Sequence, residues 1–555
     1  MRSIRYILLK FHIPVVAMAA TIMCLLSQGC SSTPAPDNLE PIIETFEATG
    51  ITRTEATLTV RIHKRSATSL TRLEFHYGEE ENPLKGEIMT DPNSEIHILN
   101  LRDLKPGTTY HWLVEAGTAT ATIRTETKSF TTEPTEPPSV SDITLLSTGP
   151  TGVILSFDVP DDGGAPLKDV GCKVYSHATG EISRISADQV SVENRPYRIY
   201  VRGLAVETTY TLTPYATNDV GESDGGSLDY TTGNSIVLKE AGSLSYLFED
   251  NGVIDLEELS ISGDMNGDDF KFLRALLGAP AMPEFEGIRS RVESVDISDV
   301  NIAEGGGTYD GRHYISAGTL STGLFADCGG LRQISLPVTA TRIDRDAFAS
   351  CQLLECVTIP AGVSRVLPSA DCPSLKSINT SEANLHFVSI DGVLYNRDVT
   401  EIIWFPTGKT GNYELPGGIS TIGENAFYGT QITGLIVPES VVSISRGAFA
   451  GSSLTEISFP GNLRNISEGM LQNCASLRCV RLGKDTEYIG AYAFSGTNID
   501  SLYIAAPVPP FTVTDAFAGC VEDIFEKCTL YVLPGCRDIY SRHHEWGRFK
   551  KIEEY

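Results

Sequence analysis

"SISRGAFAGSSLTEISFP", residues Ser443–Pro460, decides the fold, because its parts return along the chain. An Ala-Phe pair leads into a short polar turn, and a Leu-x-x-Ile-x-aromatic-Pro run follows. The same order stands in "GLFADCGGLRQISLP" around Phe325, "DAFASCQLLECVTIP" around Phe348 and "NAFYGTQITGLIVP" around Phe427. "GMLQNCASLRCVRLG" has Leu471 at the anchor, "YAFSGTNIDSLYIA" has Phe494, and "DAFAGC" has Phe517. Apart from the gap between Phe348 and Phe427, successive anchors fall 22 or 23 residues apart. A period of that length predicts a stacked solenoid rather than a closed domain.

Each position in the phrase has a physical job. Leu454, Ile457 and Phe459 are predicted to point inward while Glu456 and Ser458 face out, so each turn adds one short strand to a parallel sheet. Pro460 ends the strand because it has no N–H to donate. Ile466 buries on the way back, and Phe449 fills the outer bend, where aromatics of neighbouring turns stack. One turn cannot bury its own apolar face, but several in a row can. Residues 387–416, "FVSIDGVLYNRDVTEIIWFPTGKTGNYELP", with Asp391, Gly392, Val393, Leu394 and Tyr395, resemble a hairpin insertion that recurs in bacterial repeat proteins of this kind. Residues 235–320 read as degenerate repeats forming an opening cap, with a helix that carries Phe270, Leu273 and Leu277 on one face. Residues 536–555, with Tyr540, Trp546, Phe549 and Ile552, are predicted to close the other end.

Upstream, residues 41–134 and 135–234 each read as alternating strands between turn residues. "LRDLKPGTTYHWLVEAGT", with Leu104, Gly107, Thr109 and Tyr110, resembles the tyrosine corner of a fibronectin type III sandwich. "VRGLAVETTYTLTPYATNDVGESDGG" repeats the resemblance through Leu204, Tyr210, Tyr215, Ala216, Asn218, Gly221 and Ser223. Phe157 stands where that family usually has Trp. The pattern I-x-x-x-A-F-x-x-C/S-x-x-L-x-x-I-x-L/I-P over residues 321–535 resembles the leucine-rich repeats of the BspA type, found in bacterial surface proteins. It lacks the Asn ladder of the common leucine-rich repeat. The expected architecture is therefore mainly β: two tandem fibronectin type III-like β-sandwiches, then a BspA-type leucine-rich repeat solenoid with terminal caps.

The first thirty residues lie outside that fold. Arg2, Arg5 and Lys10 precede the apolar run "IPVVAMAATIMCLL", which has signal-peptide length. The run ends in "SQGCSS", where Gly29 before Cys30 resembles a bacterial lipoprotein cleavage site. The resemblance implies lipid on Cys30, with residues 31–40 as a tether; Ser27 stands where such signals usually have Leu. A plain secretory peptide is the alternative. No later segment is apolar enough to cross a membrane.

A formal net charge of −28 over 555 residues argues against nucleic acid or an anionic bilayer as partner. The leader holds two of the twelve cysteines, and several others occupy one fixed place in the repeat, so they read as buried unpaired thiols. Asp264, Asn266 and Asp268 have the alternate spacing of a calcium loop, but Asp269 and Ala275 stand where it needs Gly and a carboxylate. There is no H-E-x-x-H and no phosphate loop. No catalytic, metal or cofactor residues are assigned, and the chain is expected not to be an enzyme.

What remains is surface. Outward strand positions line up turn by turn, and Thr358, Asn379, Glu456, Ser458, Arg481 and Tyr503 are the candidate binding face. Ile436 beside Gly434 is the apolar exception, expected to contact the nearby insertion. With lipid on Cys30 the chain is expected to be a surface-exposed outer-membrane lipoprotein of the cell envelope, and the BspA-type resemblance implies adhesion or binding of host or neighbouring-cell protein ligands. A glycan-binding accessory of polysaccharide uptake is the alternative, and Trp404 with Tyr395 would be its aromatic platform.

Overall fold

The computed structural model describes residues 40–63, 69–81, 85–190, 195–249, 253–280 and 283–555. Cys30 and its leader lie outside them. The chain divides into two compact units, Met1–Glu136 and Pro137–Tyr555.

The first unit is a β-sandwich. One sheet joins Ile42–Thr45, Ala56–His63 and Ile96–Leu101; the other is built on Arg72–Gly78 and Thr109–Gly117. Alternation decides the burial: Ala56, Leu58, Val60 and Ile62 all point into the core with Phe75 and Trp112. The Tyr110 hydroxyl accepts a hydrogen bond from the Lys105 N–H at 2.8 Å, which is the tyrosine corner expected from the motif.

The second unit opens with another sandwich of the same plan, where the Tyr210 hydroxyl accepts from the Ala205 N–H at 2.9 Å. Phe157 is buried and packs on Tyr197 with ring centroids 6.2 Å apart, so it does the core work of the missing Trp. On its outer face Glu222 accepts two hydrogen bonds from Arg184, both at 2.8 Å, and pairs with Lys173 at 2.8 Å. These partners hold the Glu222 carboxyl down at about 2, against an ordinary 4.5. Because the folded value is depressed, the pairing stabilises above pH 4.5 and is lost as pH falls toward 2. Solvent screens this half-exposed cluster, so Glu222→Gln is expected to remove about 1 kcal/mol at neutral pH. Thermal unfolding between pH 2 and 6 should show the variant with a flatter acid limb; identical limbs would refute the assignment.

The opening cap expected at residues 235–320 is not a free end. Ser235–Leu238 pairs antiparallel with the sandwich strand Thr144–Thr148 on one side and parallel with Glu258–Met265 on the other. A single sheet thereby runs from the sandwich strands Tyr197–Arg202 and Gly152–Phe157 through to Ser377–Thr380 of the solenoid. The reason is physical: the sandwich offers an edge strand, and the first solenoid strand covers it. Ile154 of the sandwich lies in the same core as Ile236, Leu244 and Leu247.

The helix Gly267–Leu276 replaces one bend, with Phe270 and Leu273 buried, and the adjoining Leu277 buried as well. Its acidic start is explained by capping. Asn266 accepts from the Asp268 N–H, while buried Asp269 accepts from Asn266, Gly242 and Leu244 N–H groups.

In the regular turns Leu454, Ile457, Phe459 and Ile466 are buried, and Glu456 and Ser458 are exposed. Phe427 stacks on Phe449 at 5.4 Å, Phe405 on Phe427 at 4.9 Å, and Phe494 on Phe517 at 5.1 Å. The repeated cysteines are free thiols with a job of their own. Cys351 donates to the Phe325 carbonyl at 3.1 Å, Cys372 to Phe348 at 3.0 Å and Cys474 to Phe449 at 3.1 Å, each tying one turn to the previous anchor. Burial pushes the Cys372 thiol up to about 12, which keeps its proton in place as donor.

The insertion overturns one expectation. Trp404 and Tyr395 are 1% and 0% exposed, so they form no aromatic platform. Strands Phe387–Ile390, Val393–Asn396 and Glu401–Trp404 lie along the solenoid and join the sheet of its return strands. Trp404 falls in the core before the insertion, Tyr395 in the core after it. The hairpin sutures two apolar cores that would otherwise end at open faces. At the far end Tyr540 donates to the Ala506 carbonyl at 2.8 Å and Trp546 to the Pro510 carbonyl at 3.0 Å. Lys551–Glu554 then adds a last parallel strand.

Candidate binding face

A parallel ladder puts side chains of equal register in rows, so the outward positions of each turn fall beside those of the next. Thr358 pairs with Asn379 in the sheet that ends at Thr380. Glu456, Ser458, Arg481 and Tyr503 lie in a separate seven-stranded sheet that begins at Thr410–Glu414. The hairpin separates the two groups, so the six residues do not form one continuous face. Asn379 is engaged locally, donating to the Cys356 sulfur at 3.2 Å.

In the second sheet one row runs Glu414, Ile436, Ser458, Arg481, Tyr503, Tyr531, Glu553. Ile436 is 62% exposed, which corrects the expectation that the insertion covers it. The Thr410–Glu414 strand lies beside it in the sheet rather than over it, so the Ile436 side chain faces solvent.

The row's distinctive part lies at Arg481. Its guanidinium carbon sits 3.9 Å from the centroid of the Tyr503 ring. Tyr503 stacks on Tyr531 with centroids 4.4 Å apart and planes 9° apart. Tyr555 meets Tyr503 edge-on at 5.2 Å and 89°, and remains half exposed. Guanidinium over ring, ring on ring and ring against edge are each favourable arrangements, so the cluster is rigid before any ligand arrives. Burial against these neighbours raises the Tyr531 and Tyr555 hydroxyls above their ordinary value, so both stay protonated donors at neutral pH.

Tyr531 and Tyr555 were not singled out from the sequence. Tyr531 could have been, because "TLYVLP" repeats the register of "SLYIAA". Nothing in the sequence marks Tyr555, which reaches Tyr503 only because the last strand pairs in parallel beyond Thr529–Val532. Among the described residues no group of three His, Cys, Asp or Glu side chains could hold a metal ion. No helix among them is long and apolar enough to cross a membrane.

Residues 316–407 and 400–522 match the model of the BspA type leucine rich repeat region, in six copies. A leucine-rich repeat protein from Eubacterium ventriosum is similar at 16% identity, covering 62% of this chain and 91% of that one, with a TM-score of 0.36. A leucine rich cell surface protein from Faecalibacterium prausnitzii is similar at 19% identity, covering 59% and 87%, with a TM-score of 0.35. A two-domain fibronectin type III segment from chicken tenascin is similar at 17% identity, covering 35% of this chain and all of that one, with a TM-score of 0.21. No curated protein matches the sequence. Leucine-rich repeat proteins generally bind other proteins, and the repeat family is a binding and scaffold type. The strand ladder and stacked anchors of the solenoid accord with the match of residues 316–522 to the BspA type leucine rich repeat model, and two sandwiches with fibronectin type III-like tyrosine corners precede that region.

Proposed function

We propose that this chain is a non-enzymatic cell-envelope lipoprotein, held by lipid on Cys30, whose solenoid binds a protein on a host or neighbouring cell. The observation that carries the reading is the Arg481–Tyr503–Tyr531–Tyr555 cluster. Tyr and Arg dominate binding hot spots because they bury large area and still hydrogen-bond. Arg481, Tyr503 and Tyr531 stand on paired strands, so little of their side-chain entropy remains to be lost on binding. Exposed Ile436 supplies an apolar flank in the same row. The cluster has one cation in a strongly acidic chain, which suits a partner presenting a carboxylate beside an apolar surface.

The test has two arms. Protease added to intact cells should remove the protein if it is displayed outward; full protection refutes surface display. The intact protein is then titrated against a panel of immobilised host matrix proteins and glycans. Arg481→Ala and Tyr531→Ala are each expected to weaken the bound partner by about tenfold or more. Unchanged affinity in both variants would remove this face from the reading.

A further inference from the structure

A second site arises at the insertion, on the bend edge of the solenoid rather than on its sheet face. In regular turns four residues separate the return-strand Ile from the anchor, as between Ile422 and Phe427 or Ile444 and Phe449. The insertion's turn is in the same register, since Ile402 pairs with Ile422 and the Phe405 N–H donates to the Ala426 carbonyl as Phe427 does to Ala448. Yet only Ile403 and Trp404 separate Ile402 from Phe405. That bend is two residues short, and a notch opens where its outward part would stand.

The notch is a cleft of about 290 Å³. Arg345 reaches across it to Glu424 at 2.6 Å, and Arg446 bonds the same carboxylate oxygen at 2.8 Å from the other side. Asn425 and Gln472 add amides, and Tyr428 and Tyr492 add rings that are 37% and 42% exposed. Asp346 and Glu468 also line the cleft, so its cations are matched by carboxylates and no net positive field favours an anion.

Tyr492 is the telling residue. Its φ is +54°, in the left-handed region, at a place where other turns put Asp346, Asn425, Gly447 and Gly469. Those types tolerate that conformation; a bulky aromatic is strained in it. At this place in the repeat no other turn holds a bulky side chain in that conformation, and a strained ring left exposed in a cleft points to use of the ring.

We propose that this cleft binds a short neutral saccharide. The two tyrosine rings would take the apolar faces of sugar rings, while the amides and the Arg–Glu–Arg bridge would take hydroxyls as donors and acceptors. The size suits a small ligand rather than a docking protein, which separates the site from the sheet face.

The intact protein is titrated calorimetrically with maltotriose, cellotriose, mannotriose, xylotriose and chitotriose, and with an acidic peptide. At least one trisaccharide is expected to bind saturably. Tyr492→Asn, which copies Asn425 at the same place three turns earlier, should weaken it by about tenfold while the melting temperature stays level or rises. Tyr428→Ala should weaken it similarly, and Arg481→Ala should leave it unchanged. No saturable trisaccharide binding overturns the proposal, as does tighter binding of the acidic peptide than of every sugar. Affinity that is the same in Tyr492→Asn and Tyr428→Ala, or lost in Arg481→Ala, overturns it as well.

Discussion

Phe449→Ala is expected to destabilise the second unit by about 3–5 kcal/mol, the range for emptying a fully buried aromatic site. Phe449 is completely buried and lies between Phe427 at 5.4 Å and Phe459 at 6.3 Å. Its N–H donates to the Met470 carbonyl, and its own carbonyl accepts from Cys474, so the backbone around the cavity is pinned and cannot collapse inward. The loss should spread to neighbouring turns, because a solenoid is stabilised turn against turn. Urea unfolding followed by far-ultraviolet dichroism measures it. Phe449→Leu should recover much of the difference, since Leu471 fills the same place in the next turn and is itself fully buried. A loss below about 1 kcal/mol for the alanine variant would contradict the stacked-anchor account.

Leu247→Ala is the second large effect, expected at about 2–5 kcal/mol. Leu247 lies in the short helix Leu244–Leu247, is fully buried, and covers the hairpin of the second sandwich. A side-chain carbon at Gly149 would come within 3.1 Å of the Leu247 side chain, and one at Gly152 within 2.4 Å of its carbonyl oxygen, so the two elements are in close contact. Thr151 donates to that carbonyl at 3.2 Å, and Ser147 and Ser243 hydroxyls bond at 2.8 Å nearby. Because sandwich and solenoid share this core and one sheet, hydrogen exchange should quicken together at Gly152–Phe157 and Glu258–Met265. Acceleration confined to the solenoid strands would show that the two fold independently.

These two residues also mark the limits of reading the chain. Phe449 was legible because the phrase recurs and its apolar positions alternate with polar ones. Leu247 was legible as apolar, but its partners across the sandwich were not. Trp404 shows the same limit more sharply. The run Ile402–Ile403–Trp404–Phe405 is apolar throughout, so period gives no face, and a shift of one residue would turn Trp404 outward. Pairing with Thr421–Ile422 decides the register and places Trp404 in the core.

By itself the sequence determined the solenoid, its inward and outward positions and the two sandwiches, because a fixed repeat with alternating apolar residues leaves one way to bury its stripe. Tertiary structure alone decided where the candidate sites lie. Tyr503 meets Tyr555 only after the last strand pairs, and Arg345 meets Glu424 across the two turns that lie between them. Contacts between residues far apart in the chain depend on which strands become neighbours. That choice is made by the summed packing of whole turns, and no local stretch records it.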